Sequence, residues 1–228
     1  MEISIIYEDN HLLVVEKPVN VPVQEDQSGD KDLLTMLKAD LKDRYQKPGN
    51  VFLGLVHRLD RPVGGVMVFA KTSKAASRLS DSIRRNQLNR GYLAVVRGIP
   101  NEEEARLEHY LLKNHRENRV KTVSAQHKQG KRAVLDYQTL ARTNALSLLS
   151  VHLHTGRSHQ IRVQLSAIGC PLYGDQKYGR QVNKPGEQIA LWANYLKIEH
   201  PTKKEWMTFE SYPPEQYPWN LFKVSEKI

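Results

Sequence analysis

The chain has 228 residues, of which 39% are hydrophobic and 26% charged, a composition typical of a soluble globular protein. No run of 18 apolar residues occurs in it, which argues against a membrane-spanning helix. Cys170 is the single cysteine, so an intramolecular disulfide is excluded and a reducing compartment is favoured. No secretory signal pattern opens the chain, and we therefore expect a cytoplasmic protein.

Charge gives the first indication of function. Lys and Arg number 34 against 25 Asp and Glu, for a net charge of +9, which favours an anionic partner such as RNA or DNA. The excess is concentrated in two blocks. Residues 71–92 contain six Lys or Arg and one acid, and residues 113–132 contain seven and one acid.

The chain opens with two apolar runs, residues 3–7 and 11–16, separated by Glu-Asp-Asn. This pattern predicts a strand–turn–strand hairpin that ends at Pro18. Leu33, Leu37 and Leu41 recur every four residues, and this spacing predicts an amphipathic helix.

The next segments alternate between strand and helix patterns. VFLGLV at 51–56, residues 65–70 and residues 92–97 have the composition of strands. Between the last two, Ala76, Leu79 and Ile83 share one helical face. We predict a helix there with Ser73 as its N-cap.

Residues 113–132 are basic and poor in apolar side chains, which predicts an exposed arm that does not pack. Strands are predicted at 133–140 and 146–153. Ile161, Leu165 and Ile168 then mark a short helix, which we expect Ser158 to cap and Gly169 to end. Residues 189–199 and 205–210 pair as a final hairpin.

Strand segments outnumber helices, and short turns join several of them. This organisation predicts an α+β fold with a mixed, largely antiparallel sheet and flanking helices. No linker-like stretch interrupts residues 1–228, so we expect a single domain.

Asp60 is the leading candidate for a catalytic group. It lies in HRLDRP between Arg58 and Arg61, directly before an apolar run. Neighbouring positive charge would keep its carboxylate ionised and nucleophilic. The same spacing also suits a turn in which Asp binds its own backbone. The residues alone leave both interpretations open.

Two further side chains are ambiguous in the same way. Tyr92 opens a strand and suits either the core or a platform for a nucleic-acid base. Arg162 lies among apolar helix neighbours and requires a carboxylate partner, for which Asp60 is a candidate.

His152, His154 and His159 have a spacing that could bind zinc, but no cysteine lies nearby to complete a structural site. Histidines on one strand face also serve as ordinary hydrogen-bonding groups. We therefore predict no metal. The motifs of serine hydrolases and of P-loop nucleotide-binding proteins do not occur in the chain.

Several segments resemble the RluA-type RNA pseudouridine synthases. HRLDRPVGGVMVFAK is similar to the signature of that family, GYLAVVRG to its next motif, and HTGRSHQIRVQLSAIGCPLYGDQKYG to its third. IIYEDNHLLVVEKP and HPTKKEWMTFE resemble its first strands and its final hairpin. The motifs follow the family's order and span roughly residues 3–214.

The resemblance implies a pseudouridine synthase fold with a central active-site cleft, and a role for each matched residue. Asp60 matches the nucleophilic aspartate, and Arg58 an arginine that displaces the target nucleotide. Tyr92 matches the tyrosine that stacks on the flipped base, and Arg162 the arginine paired with the catalytic carboxylate. Base flipping is physically required because the reacting base must leave its helix.

The resemblance also implies partners and cofactors. We expect a monomer that acts on tRNA or rRNA without cofactor, metal or membrane, and that lacks the S4 RNA-binding module of larger relatives. The expected substrate-binding residues are His57, Arg58, Arg90, Arg116, Arg119, Lys121, Lys131, Arg157, His159 and Gln160.

Two departures from the family pattern keep alternatives open. Val63-Gly64-Gly65 stands where Thr-Ser-Gly is usual, and Arg90 where lysine is common. One alternative is an RNA-binding or RNA-folding module that has lost turnover. Another is a nucleosidase or nuclease that uses Asp60 and the histidines.

Overall fold

The structure, a computed structural model, describes residues 3–224. Its strands are β1 (Ile5–Glu8), β2 (Leu12–Lys17), β3 (Gly54–Leu55), β4 (Gly64–Ala70), β5 (Asn89–Arg97), β6 (Glu104–Asn114), β7 (Arg119–Val123), β8 (Lys131–Arg142), β9 (Leu146–Leu153), β10 (Leu191–Glu199) and β11 (Trp206–Glu210). Its helices are α1 (Leu33–Arg44), α2 (Ser73–Arg84), α3 (Gln160–Ala167) and a short 3-10 helix (Trp219–Leu221). None of the helices in this part of the chain is long and apolar enough to cross a membrane.

The described residues fall into two units. The first contains residues up to 89 together with 193–211, and the second contains 90–192 together with the residues from 212 onward. The pairings for which a register is defined are all antiparallel. The prediction of an α+β fold with a largely antiparallel sheet is confirmed.

In the first unit the strands lie in the order β1-β2-β4-β10, with β3 on β4 and β11 on β10. Every residue of β4 is buried. Gly65 adopts a φ of +116°, and a Cβ there would lie 2.1 Å from the carbonyl oxygen of Ala193. A glycine is therefore required where β4 meets β10, since any side chain would collide with that backbone.

The first helix follows its sequence pattern closely. α1 buries Leu33, Leu37 and Leu41 as the spacing predicted, and the Asp32 carboxylate caps it by accepting from the Thr35 N–H at 3.0 Å. For α2 the predicted cap is wrong by one residue. Thr72 is the N-cap, and its hydroxyl accepts from the Ala75 N–H at 3.1 Å.

In the second unit the order is β5-β9-β8-β6-β7, so β7 is an edge strand. α3 is bound to this sheet through Gln164, whose amide donates to the carbonyl oxygens of Leu107 and Ala133. The predicted Ser158 cap is wrong. The N-cap is His159, in the left-handed region at φ 52° and without a side-chain capping bond.

Two predicted segments differ in type or length. The strand predicted at 51–56 shrinks to β3, because β10 occupies the remainder of that edge of β4. Residues 113–132 are not an unpacked arm, since they include β7, which pairs with β6. Val120 is 5% exposed and packs with Leu111 and Val163. Val120 therefore packs this otherwise basic segment on the core, in addition to the pairing with β6.

Candidate active site

Asp60 lies in a tight turn that leads into β4. The Val63 N–H donates to the Asp60 carbonyl oxygen at 3.0 Å, which closes the turn, and the Asp60 side chain is half-buried. The Arg61 guanidinium is bound to Asp30 and lies 3.7 Å from Asp26. The turn therefore orders the aspartate backbone, while Arg61 is held by other carboxylates.

A buried lysine supports this turn from below. Lys17 ends β2 and is 0% exposed. Its ammonium donates to the carbonyl oxygens of Arg61 at 2.9 Å and Val63 at 2.7 Å, and also to that of Pro18 at 2.9 Å. Burial lowers the pKa of Lys17 to about 7, and the negative charge of Asp60 partly opposes this shift.

Sequence reasoning did not single out Lys17. The available signal was a lysine at the end of the apolar run LLVVEKP, a position where an ammonium group needs buried acceptors. Two of its three acceptors, the carbonyls of Arg61 and Val63, are distant in sequence, and no residue pattern identifies them.

His57 holds the segment ahead of Asp60 against β4. Its Nε2 accepts from the Val68 N–H at 3.1 Å, so the neutral ring carries its proton on Nδ1. One ring nitrogen thus serves the fold by fixing the position of the HRLD segment. Arg58, one residue further along, is exposed.

Tyr92 lies on β5 opposite Val151 of β9, and 7% of it is exposed. Both interpretations from the sequence, a core tyrosine and an aromatic platform, are compatible with a ring that is mostly buried.

Arg162 has a carboxylate partner that sequence reasoning missed. Its Nε and Nη2 donate to the two oxygens of Asp175, each at 2.8 Å. Arg162 is 7% exposed and Asp175 is 1% exposed. Burial alone would raise the pKa of Asp175, but the hydrogen bonds and charge of Arg162 bring it below its usual value. The signal in the sequence was a lone aspartate in PLYGDQKYG.

Comparison with known proteins identifies the family of this chain. A family profile described as RNA pseudouridylate synthase matches residues 11–167. The chain belongs to this family. The pseudouridine synthase is accordingly an isomerase with an RNA substrate.

Individual relatives agree with this assignment. The synthase is 34% identical over 226 residues to an uncharacterized RNA pseudouridine synthase of Aquifex aeolicus, covering 94% of this chain and 71% of the relative. It is 34% identical over 239 residues to ribosomal large subunit pseudouridine synthase D of Pseudomonas aeruginosa, covering 97% of this chain and 71% of the relative.

Solved structures share the fold. Human RNA pseudouridylate synthase domain containing 4 superposes with a TM-score of 0.78 at 23% identity, covering 92% of this chain and 88% of the human chain. Human RNA pseudouridylate synthase domain containing 1 gives a TM-score of 0.74 at 26% identity, covering 94% and 85%.

The basic residues of the synthase near β7 divide into two groups. Arg116, Lys121 and Lys131 are exposed. Arg119 is also exposed, but its guanidinium donates to the Lys177 carbonyl oxygen and lies 5.9 Å from the centre of the Tyr178 ring. Arg119 thus contributes to holding β7 in place.

Residues of the third motif are used largely within the protein. Gln160 is 3% exposed, and its amide binds the Thr155 hydroxyl at 2.8 Å, the Arg157 N–H at 3.0 Å and the Val134 carbonyl at 3.0 Å. His159 Nδ1 lies 2.6 Å from the Tyr178 hydroxyl. These contacts give both side chains a positioning role.

Two arginines flank the turn at Gly156. Arg157 is exposed and donates to the Arg132 carbonyl oxygen at 3.0 Å. The Arg90 guanidinium lies so close to Gly156 that a Cβ there would be 2.7 Å from Nη1. The glycine therefore leaves room for the arginine that stands where the family commonly has lysine.

The histidines considered as zinc ligands are engaged in hydrogen bonds and ring contacts. His154 Nε2 lies 2.7 Å from the Asp136 carboxylate, and the His152 and His154 rings meet edge-on at 5.0 Å. Across residues 3–224, no group of three or more His, Cys, Asp or Glu side chains is arranged to hold a metal ion.

Proposed function

We propose that this synthase converts uridine to pseudouridine in tRNA or rRNA, with Asp60 as the nucleophile that attacks the target uridine. The observation that carries the proposal is the construction of the Asp60 turn. A backbone bond closes the turn, Lys17 binds two of its carbonyl oxygens, and His57 fixes the segment before it. Such support is what a nucleophile needs in order to keep a productive geometry.

The departure at Val63-Gly64 does not remove these supports. Val63 contributes its backbone N–H and carbonyl oxygen to the turn, and any residue except proline supplies both. Its side chain is 2% exposed and lies in the core. This arrangement favours an active enzyme over a module that has lost turnover.

The resemblance to the family supports the remaining proposed roles. Arg58 is exposed, and its proposed role is to enter the RNA stack as the target nucleotide leaves it. Tyr92 supplies the face on which the base stacks, and Arg162 supplies positive charge for the catalytic carboxylate. Several relatives are named as ribosomal large subunit pseudouridine synthases, so we propose rRNA of the large ribosomal subunit as the first substrate to test, before tRNA.

The chemistry defines the assay. The N1–C1′ bond of uridine breaks, the C5–C1′ bond forms, N1 gains a proton and C5 loses one. RNA labelled with tritium at C5 therefore releases tritium to water, while the chain stays intact and no free uracil appears. A nucleosidase would release uracil, and a nuclease would shorten the RNA.

The decisive variant is Asp60→Asn, which is nearly isosteric and removes only the nucleophile. We expect loss of tritium release with RNA affinity unchanged within a few-fold. Asp43→Asn on the exposed side of α1 is the matched control and should retain full activity. Residual turnover of Asp60→Asn above about 1% of wild type, a barrier change below about 3 kcal/mol, would exclude Asp60 as the nucleophile.

We further propose that neither metal nor organic cofactor takes part, because an aspartate nucleophile supplies the bond changes by itself. Tritium release by dialysed enzyme should be the same with and without a chelator. A chelator can also unfold RNA that needs Mg²⁺. RNA binding is therefore measured with and without the chelator as the control.

A further inference from the structure

Residues 175–178, here called the Asp175 loop, touch two parts of the second unit at once. One end of the loop binds Arg162 of α3, and the other end binds β7. The proposed function uses Arg162 in chemistry, and the family resemblance implies that basic residues around β7 bind RNA. The Asp175 loop is therefore placed to position both.

On the Arg162 side, the contact is a fork. Both oxygens of Asp175 accept from the guanidinium, one from Nε and the other from Nη2. Oδ1 also accepts from the backbone N–H groups of Lys177 at 2.9 Å and Tyr178 at 3.1 Å. A two-point contact fixes the rotation of a planar guanidinium, which a single bond does not. The Tyr178 ring lies 5.2 Å from the Arg162 guanidinium carbon and limits its tilt.

On the β7 side, Tyr178 forms a hydrogen bond with a backbone group of this edge strand. Its hydroxyl accepts from the Val120 N–H at 2.9 Å and interacts with His159 Nδ1 at 2.6 Å. Which group donates this second bond depends on the His159 tautomer, since a hydroxyl can both accept and donate. Lys177 adds a bond from its ammonium to the Asn118 carbonyl oxygen at 2.8 Å. Unpaired N–H groups on an edge strand otherwise leave it mobile or open to other chains.

We propose that Asp175 and Tyr178 are positioning residues of this synthase with separable effects. Asp175 orients the Arg162 guanidinium for the chemical step. Tyr178 holds β7, and with it Arg119 and Lys121, in the conformation that binds RNA. This inference rests on the proposed function, because it assigns the two residues to the proposed roles of Arg162 and the basic strand.

Single-turnover kinetics on labelled RNA, together with RNA binding at equilibrium, separate the two effects. Asp175→Asn should lower the rate at saturating RNA by about 100-fold, the cost of a misplaced catalytic group, with Kd unchanged within about threefold. Tyr178→Phe keeps the ring and removes the hydroxyl. It should weaken Kd by about threefold to tenfold, the value of one neutral hydrogen bond, with the saturated rate nearly unchanged.

Gln176→Ala is the matched control in the same loop, since that side chain is directed to the Lys184 carbonyl oxygen and away from both contacts. It should leave rate and Kd at wild-type values. Asp175→Glu keeps the charge but lengthens the side chain, and it replaces Asp175→Asn if that variant does not fold. It should also lower the rate, because the guanidinium is displaced.

The outcomes distinguish this inference from the proposed function. If Asp60→Asn is inactive while Asp175→Asn and Asp175→Glu both react within about threefold of wild type, below the loss expected of a misplaced group, the positioning role of Asp175 is wrong. An unchanged Kd for Tyr178→Phe overturns its role in holding β7. Turnover by Asp60→Asn would instead overturn the proposed nucleophile. In the positive case, Asp175→Asn combined with Arg162→Lys should be no slower than the worse single variant.

Discussion

At the scale of single residues, Tyr92 tests whether stacking or a hydroxyl matters. Only 7% of Tyr92 is exposed, so its substitution affects the protein core as well as any bound base. Tyr92→Phe keeps the ring and should retain most of the single-turnover rate. Tyr92→Leu removes the stacking face and should lose roughly 1–3 kcal/mol of transition-state or binding energy. Equal losses in Phe and Leu would assign the effect to the hydroxyl.

Arg162 is the second residue at this scale, and its variants should affect stability as well as activity. Arg162→Ala leaves Asp175 as a buried carboxylate without its counter-charge, and removing one partner of such a pair costs about 3–5 kcal/mol. Arg162→Lys keeps the charge and loses the fork, so it should melt higher than Ala yet remain slow. Denaturant unfolding and tritium release measure the two effects. Identical unfolding of Ala and wild type would contradict the account of the Asp175 pair.

At the scale of elements, β7 and the turns on either side of it, residues 113–132, form a candidate RNA-binding segment. Arg116, Arg119 and Lys121 are all expected substrate-binding residues, but Arg119 also holds β7 against Lys177 and Tyr178. Arg116, Lys121 and Lys128 are exposed and make the cleaner set. Phosphate contacts position RNA without reading its sequence.

Changing Arg116, Lys121 and Lys128 to Ala should therefore weaken RNA binding and leave the chemical step alone. Each phosphate contact contributes roughly 0.7 to the log–log salt slope on single strands, so losing all three flattens it by about 2 units. The saturated single-turnover rate and the melting temperature should stay at wild-type values. The same charge change at Lys31, Lys42 and Lys47 of the first unit is the control. A salt slope equal to that of wild type would show that this segment is an ordinary solvated surface.

At the scale of the whole molecule, Lys17 links global stability to pH. Burial lowers its pKa to about 7 in the folded protein, whereas an unfolded lysine titrates near 10.4. Between these values the unfolded chain binds the extra proton, so the free energy of unfolding rises with pH. Lys17 contributes up to about 1.4 kcal/mol per pH unit to this slope. The contribution is absent well below pH 7, where Lys17 is protonated in both the folded and the unfolded state.

Comparing wild type with Lys17→Met isolates this contribution, since methionine does not titrate. Denaturant unfolding at pH 6, 7, 8 and 9 should show a difference between the two proteins that is constant at the low end and shifts in favour of wild type above pH 7. Parallel pH curves for the two proteins would show that Lys17 titrates normally. RNA is absent from this experiment, so the result does not depend on the proposed mechanism.

Local patterns in the sequence were sufficient for most of the elements. The Leu33, Leu37 and Leu41 spacing predicted α1, and the short turns predicted a largely antiparallel α+β fold, because helix and strand periodicities are set by residues close together in the chain. The family motifs pointed to Asp60, Tyr92 and Arg162. Whether Asp60 is the nucleophile, and whether it pairs with Arg162, remain predictions.

What holds these residues was decided by tertiary structure alone. Lys17 binds Val63 across 46 positions of sequence, and Tyr178 binds Val120 across 58. Each of these bonds uses a backbone group, which every non-proline residue carries, so no residue pattern marks it. The prediction that residues 113–132 form an exposed arm was wrong for the same reason. Its strand β7 exists because β6 and the Asp175 loop supply partners from elsewhere in the fold.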